Sequence, residues 1–190
     1  ICLGLRSGAD GGPVSIEVAD VTHLLLAPIS RRRVLLRPVA QRIRSAMFAL
    51  ALPGAIVGQF VAREVEGSRA SWAAAGALFG AVVGAAFVSS AVLSHSLRLP
   101  RRGATVLAAA LLGWQAAAAW ATWNESDSAV RAGPANLAGS LAFWGIRQRS
   151  IDLVAIAVVI AAVGAALALG GRLRIEPLVR RGRLVSQLRF

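Results

Sequence analysis

Four long apolar stretches constrain the fold of this chain more than any other feature of its sequence. They run over residues 45–62, 71–97, 104–123 and 151–170. An α-helix rises about 1.5 Å per residue, so about 20 apolar residues cross the roughly 30 Å hydrocarbon core of a membrane. Charged residues make up only 16% of the chain and cluster between these stretches. The sequence therefore predicts an all-α, polytopic transmembrane helical bundle, with about four spanning helices and additional amphipathic interfacial helices.

The positive charges alternate between the two sides of the predicted membrane. All 21 basic residues are arginine, and they are concentrated in the segments 31–44, 98–102 and 172–189. The links at 63–69 and 125–149 instead balance arginine with acidic residues. Because basic loops stay in the cytoplasm, this pattern predicts a multi-pass protein of the bacterial plasma membrane with both termini cytoplasmic. Nucleic-acid binders carry basic residues along one polar face rather than at the ends of apolar runs, so we expect no nucleic-acid partner.

The tryptophans favour the same orientation. Trp72, Trp120, Trp123 and Trp144 all fall on the predicted external side of the membrane. Indole rings prefer the interface between lipid and water, because one end of the ring is apolar and the other is polar. Trp114 is the exception, since it lies inside the third predicted span.

Two basic segments flank the predicted bundle at 45–170. Residues 1–44 are predicted to be cytoplasmic or interfacial, and residues 171–190 to form a basic cytoplasmic tail. Shorter elements are expected at 1–5 (the end of a preceding span), 14–27 (a helix that Pro28 ends), 31–44 (an amphipathic helix on the anionic leaflet) and 135–146 (an interfacial or re-entrant helix). The chain begins with isoleucine rather than methionine, so we expect a processed chain or a fragment.

Small residues recur at helical spacing in two of the predicted spans. Gly76, Gly80 and Gly84 follow one another every four residues, and Gly164 and Ala168 repeat the pattern more weakly. Helices in lipid gain no hydrophobic drive from association, so close approach of their backbones matters more. We therefore predict helix packing at these residues, within the chain or between subunits of a homo- or hetero-oligomer. The alternative is that such spacings arise by composition alone in helices rich in alanine and glycine.

Four polar side chains fall within the predicted spans and are candidates for lining a transport path: Gln59, Gln115, Ser94 and His95. Polar groups in lipid face protein or water rather than the acyl chains. They also form hydrogen bonds between helices, worth about 0.6–2 kcal/mol each. The sequence favours this second role.

Enzymatic activity is not expected. Without lysine, the chain has no phosphate-binding loop that ends in Gly-Lys-Ser/Thr. His23 and His95 are the two histidines, and their spacing does not suit a metal site or another cofactor site. A serine–histidine membrane protease could in principle pair Ser140 with His95, but no nucleophile motif surrounds Ser140 and the predicted topology places the two at opposite faces.

Two segments resemble a known family. Asp20-Val-Thr-His-Leu-Leu-Leu-Ala-Pro-Ile-Ser-Arg-Arg-Arg-Val-Leu35 follows Gly12-Pro13 and is similar to a segment of permease subunits of actinobacterial ATP-binding-cassette exporters. The stretch from Arg180 to Phe190 is similar to a second segment of those proteins. The resemblance implies the membrane permease of an exporter that pairs with a separate cytoplasmic ATPase, and it carries no catalytic residue or substrate.

Basic residues in the predicted cytoplasmic segments would then contact the ATPase or anionic lipid: Arg31, Arg32, Arg33, Arg101, Arg102, Arg180 and Arg181. The alternative is a small membrane scaffold or assembly protein without transport activity.

Overall fold

The computed structural model describes residues 1–9, 31–124, 133–147 and 149–170, and in these ranges it contains helices and turns but no β-strand. The helices are α1 (Cys2–Ala9), α2 (Arg31–Val61), α3 (Arg69–Ser96), α4 (Arg101–Trp123), α5 (Pro134–Ala142), α6 (Trp144–Arg147) and α7 (Val154–Leu169), with a 3₁₀ turn at Ser150–Leu153. The predicted all-α fold class is confirmed. The predicted helix at 14–27 and the basic tail at 171–190 lie outside the described residues.

Three of the helices are long and apolar enough to cross a membrane: Leu35–Val61, Arg69–Ser96 and Arg101–Trp123. Many of their large apolar side chains point away from the protein, among them Leu52 at 68% exposure and Val106 at 67%. Soluble monomers rarely expose contiguous apolar surfaces of this kind, whereas lipid is a suitable solvent for them. The helices therefore indicate a membrane protein.

The N-terminal half of α2 differs from its predicted form. The amphipathic segment at 31–44 and the first span at 45–62 were predicted as separate elements, but they form one helix of 31 residues. Leu35, Val39 and Ile43 are all buried, and they pack on the cluster formed by α3 and α7. Because this apolar stripe is covered by neighbouring helices, the segment joins the bundle instead of lying alone on the leaflet. Pro38 and Pro53 are both accommodated inside the helix.

The fourth predicted span is also divided. Residues 151–170 correspond to the end of the 3₁₀ turn and to α7, which has 16 residues. At 1.5 Å per residue α7 is about 24 Å long, less than the roughly 30 Å of a bilayer core.

The short helix predicted at 135–146 also forms two elements, because the chain turns at Phe143 between α5 and α6.

Helix α3 is the centre of the bundle. It packs antiparallel to α2 along most of its length, and it also contacts α1, α5, α6 and α7. Helix α4 follows α3 after a short turn, yet in the described part of the chain it does not pack along α3. Instead α1 and α5 each contact both α3 and α4. We call the space between α3 and α4 the α3–α4 cleft.

The two ends of the bundle differ in composition. At one end α3 finishes and α4 begins, around Arg98, Arg101 and Arg102, and we call this the arginine end. At the other end lie Trp72 and Trp123, and we call this the tryptophan end. Helix α1 occupies the cleft near the arginine end, because its residues meet the last two turns of α3. Helix α5 occupies the cleft nearer the tryptophan end, where it contacts Val82.

The turn at the arginine end has a strained residue. Arg98 adopts φ 55°, a left-handed conformation that residues other than glycine rarely take. The amide of Leu99 donates to the Ser94 carbonyl at 3.0 Å, which closes the helix by a Schellman-type bond. Pro100 then precedes α4 and prevents α3 from continuing.

Candidate functional site

The glycines of α3 lie directly against α2. A Cβ atom added to Gly76, Gly80 or Gly84 would collide with the carbonyl oxygen of Gly54, Leu50 or Ala46, respectively. These residues form one antiparallel seam, in which each step of four residues on α3 meets a step of four on α2. The absence of side chains lets the two backbones touch, as is typical of helix pairs in lipid.

Gly164 and Ala168 occupy a different environment. Both are exposed on α7, and a Cβ atom added to Gly164 would meet no atom of the described chain within 4 Å. In the described bundle, Gly164 therefore makes no close helix contact of the kind seen at Gly76, Gly80 and Gly84. Packing of these two residues between subunits stays a prediction.

Three polar side chains of α3 hold α1 by its backbone. The Ser90 hydroxyl donates to the Ile1 carbonyl at 3.4 Å, although it is closer to the Phe87 carbonyl of its own helix, at 2.8 Å. The Ser94 hydroxyl donates to the Leu5 carbonyl at 2.9 Å. His95 Nδ1 lies 3.2 Å from the Gly8 carbonyl. The two helices are therefore parallel, and we call these contacts the α1 clamp.

The contact with Gly8 fixes the tautomer of His95. A carbonyl oxygen only accepts, so Nδ1 must carry the proton, and in the neutral ring Nε2 is then an acceptor. The Gly8 carbonyl lies in the last turn of α1, where it has no partner within the helix. His95 thus caps α1 from a neighbouring helix. It is buried, and its Nε2 atom has no hydrogen-bond partner among the described residues, as is also true of the Ser89 and Ser96 hydroxyls.

Gln115 holds α5 in a similar way from α4. Its Oε1 atom accepts from the Ala135 amide at 2.8 Å, and its Nε2 atom donates to Asn136 Oδ1 at 3.1 Å. The Ala135 amide lies in the first turn of α5, where backbone N–H groups lack partners in the helix. Both functional groups of one glutamine therefore fix the start of α5, and we call this contact the α5 clamp.

The four side chains predicted as candidates for lining a transport path therefore lie in two different environments. Ser94, His95 and Gln115 make hydrogen bonds between helices at the α3–α4 cleft, in the role that the sequence favoured for them. Gln59 is exposed on α2, away from the cleft, two residues before the helix ends.

Ser140 and His95, the serine–histidine pair considered from the sequence, lie far apart. Ser140 donates to the Leu137 carbonyl at 2.9 Å and neighbours Leu141, which packs on Val82. His95 lies about 20 Å farther along α3 from Val82, so the two side chains cannot pair. The described ranges also contain no group of three or more histidine, cysteine or acidic side chains that could hold a metal ion.

The basic residues predicted to contact a partner are only partly described. Arg101 and Arg102 are exposed in the first turn of α4. For Arg31, Arg32 and Arg33 the helical backbone alone is described, and Arg180 and Arg181 lie outside the described residues.

The contacts of α1 and α5 also involve residues that the sequence did not identify. Gly4 and Gly8 lie against the Phe87 and Ala91 carbonyls, so α1 packs on α3 as closely as α2 does. Their four-residue spacing is the same signal as that of Gly76 and Gly80, and it could have identified this contact. The backbone carbonyls of α1 and the side chain of Asn136 gave no comparable signal.

The bundle contains three helices that are long and apolar enough to cross a membrane, with short helices in its cleft. This architecture is that of a polytopic membrane protein. No family model, curated protein or solved structure matches the chain.

Proposed function

We propose that this chain is the membrane permease of an ATP-driven exporter, and that the α3–α4 cleft is its translocation path. The observation that carries the proposal is the separation of α3 from α4 by two short helices near opposite ends of one cleft. In this hypothesis α1 closes the cytoplasmic side and α5 closes the external side. The resemblance of residues 20–35 and 180–190 to exporter permeases supports the same function.

Alternating access requires two gates that open at different times, and the two clamps are suited to this. Each short helix is held at the cleft by two or three side-chain hydrogen bonds. Such bonds contribute about 0.6–2 kcal/mol each between helices in lipid, so the hydrogen bonds of one clamp together contribute only a few kcal/mol to holding its gate closed. A difference of this size lets a partner shift the balance between two conformations.

The continuous helix α2 offers a way to couple the gates to a cytoplasmic ATPase. Its 31 residues span about 46 Å, so the helix is longer than the roughly 30 Å hydrocarbon core. Arg37, Arg42 and Arg44 are exposed on the half nearer the arginine end. A partner that engages this half would move α2 as one rod, and the glycine seam would transmit the movement to α3.

Affinity purification from the native host tests the proposal. We expect the detergent-solubilised chain to capture an ATPase and to stimulate its hydrolysis of ATP. Replacing Arg101 and Arg102 by alanine should weaken this capture by at least several-fold. The matched control replaces Arg63 and Arg69, two exposed arginines at the tryptophan end, and should leave capture unchanged. If the chain is recovered with other membrane proteins but alters no ATPase, the exporter function is refuted in favour of a scaffold.

A further inference from the structure

A narrow apolar groove runs between α2 and α3, and Ala142 at the end of α5 also lines it. Its volume is about 330 Å³. Gly54, Gly58, Gly76 and Gly80 line it. The groove therefore runs beside the glycine seam, where the backbones of α2 and α3 touch.

The walls of the groove are apolar throughout. Leu50, Val57, Phe79 and Val83 line it, and no charged side chain does. Val57 is 60% exposed, so the groove opens toward the surrounding solvent, which for this helix is lipid. The groove therefore suits a hydrocarbon ligand rather than a polar one.

The length of the groove matches one leaflet of a bilayer. On α2 its lining extends from Leu50 to Val61 at the tryptophan end. Eleven residues of helix rise about 16 Å, and half of a roughly 30 Å hydrocarbon core is about 15 Å. A lipid in the leaflet at the tryptophan end would thus have its acyl chain alongside the whole groove.

The size of the groove argues against a larger occupant. A helix of a second copy has a diameter of about 10–12 Å, whereas a methylene chain is far more slender. At about 330 Å³ over roughly 16 Å of length, the groove is too small to enclose a helix.

Arg63 lies two residues beyond Val61, the last residue of α2 that lines the groove. Arg63 follows the last turn of α2, and its guanidinium carbon lies 4.9 Å from the centre of the Phe60 ring. The Arg63 side chain is exposed and lies just beyond Val61, where the span-length segment Leu35–Val61 ends. We propose that this groove binds one acyl chain of a phospholipid from the leaflet at the tryptophan end, with the headgroup near Arg63. The site is independent of the proposed transport function.

Electron paramagnetic resonance with a chain-labelled phospholipid tests the site. The purified full chain is reconstituted into phosphatidylcholine–phosphatidylglycerol vesicles, and the motionally restricted lipid per protein is counted. Val57→Trp fills the groove, and Val106→Trp is the matched control on α4, where valine has a similar exposure of 67%. We expect Val57→Trp to restrict about one phospholipid fewer per protein than the native chain, and Val106→Trp to match the native chain.

A second variant separates loss of the site from loss of the fold. Ala142→Leu enters the groove from α5 and should also remove about one restricted lipid. Circular dichroism of all variants must show native helicity before lipids are counted. An unchanged restricted fraction in either folded groove variant overturns the proposal. An equal loss in Val106→Trp does so too, because it would show a general effect of a surface tryptophan.

Discussion

Gly80→Ala tests the glycine seam between α2 and α3. A Cβ atom at this position would lie 2.7 Å from the carbonyl carbon of Leu50 and 3.1 Å from the Ala51 nitrogen. Carbon atoms pack best at about 3.5–4.0 Å, so α2 must move away by about 1 Å. A gap of 0.5–1 Å already forfeits a quarter to a half of the dispersion energy of each contact that it opens.

The expected cost follows from two terms of opposite sign. Overpacking of a tight contact costs about 1–3 kcal/mol. Alanine in place of glycine gains up to about 1 kcal/mol from helix propensity. Gly113→Ala on α4 is the matched control, because a Cβ atom there meets nothing within 4 Å in the described structure. Since both variants gain the propensity term, their difference isolates the packing cost, and we expect about 1–3 kcal/mol.

Unfolding in mixed micelles, followed by circular dichroism, measures both free energies under identical conditions. Gly80→Ala should be less stable than Gly113→Ala, whose stability should equal or exceed that of the native chain. Equal stability of the two variants would show that the backbones are not in contact at Gly80, and the argument for the seam would then be wrong.

Three further predictions concern single positions, each measured by the same unfolding assay. Arg98→Gly should stabilise the chain by about 1 kcal/mol, because it relieves the left-handed φ of 55°; Arg98→Ala keeps the strain and should show no such gain. Gln115→Leu should cost about 1–2 kcal/mol and speed amide exchange in α5, because the Ala135 amide loses its acceptor; unchanged exchange would contradict the α5 clamp. Leu141→Ala should cost about 2–4 kcal/mol, because Leu141 is fully buried, whereas Leu112→Ala on the exposed face of α4 should cost much less.

The general architecture could be predicted from the apolar stretches. Length and composition alone identify α3 and α4, since each is a single apolar helix bounded by arginine or tryptophan. The glycine spacing on α3 also indicated a seam, but its partner could not be identified. Gly54 and Gly58 on α2 complete it, and this pairing depends on which helices are neighbours in space.

The parts that the sequence did not reveal depend on tertiary contacts. Nothing local shows that Leu35, Val39 and Ile43 meet other helices rather than the membrane surface, because an apolar stripe suits both. The α1 clamp was equally hidden. Its acceptors are backbone carbonyls, which every residue carries, so the sequence could identify Ser94 and His95 but not what they bind.

The central claim is that the bundle crosses a membrane with its arginine end in the cytoplasm, and cysteine labelling tests it directly. Cys2 is the one cysteine of the chain, so Cys2→Ser provides a background without thiols. Glu66→Cys and Arg102→Cys then place single thiols at exposed positions on the tryptophan and arginine ends. With a membrane-impermeant maleimide, Glu66→Cys should react in intact cells and Arg102→Cys only after permeabilisation. The reverse pattern would contradict the orientation, and reaction of both or neither in intact cells would contradict the crossing itself.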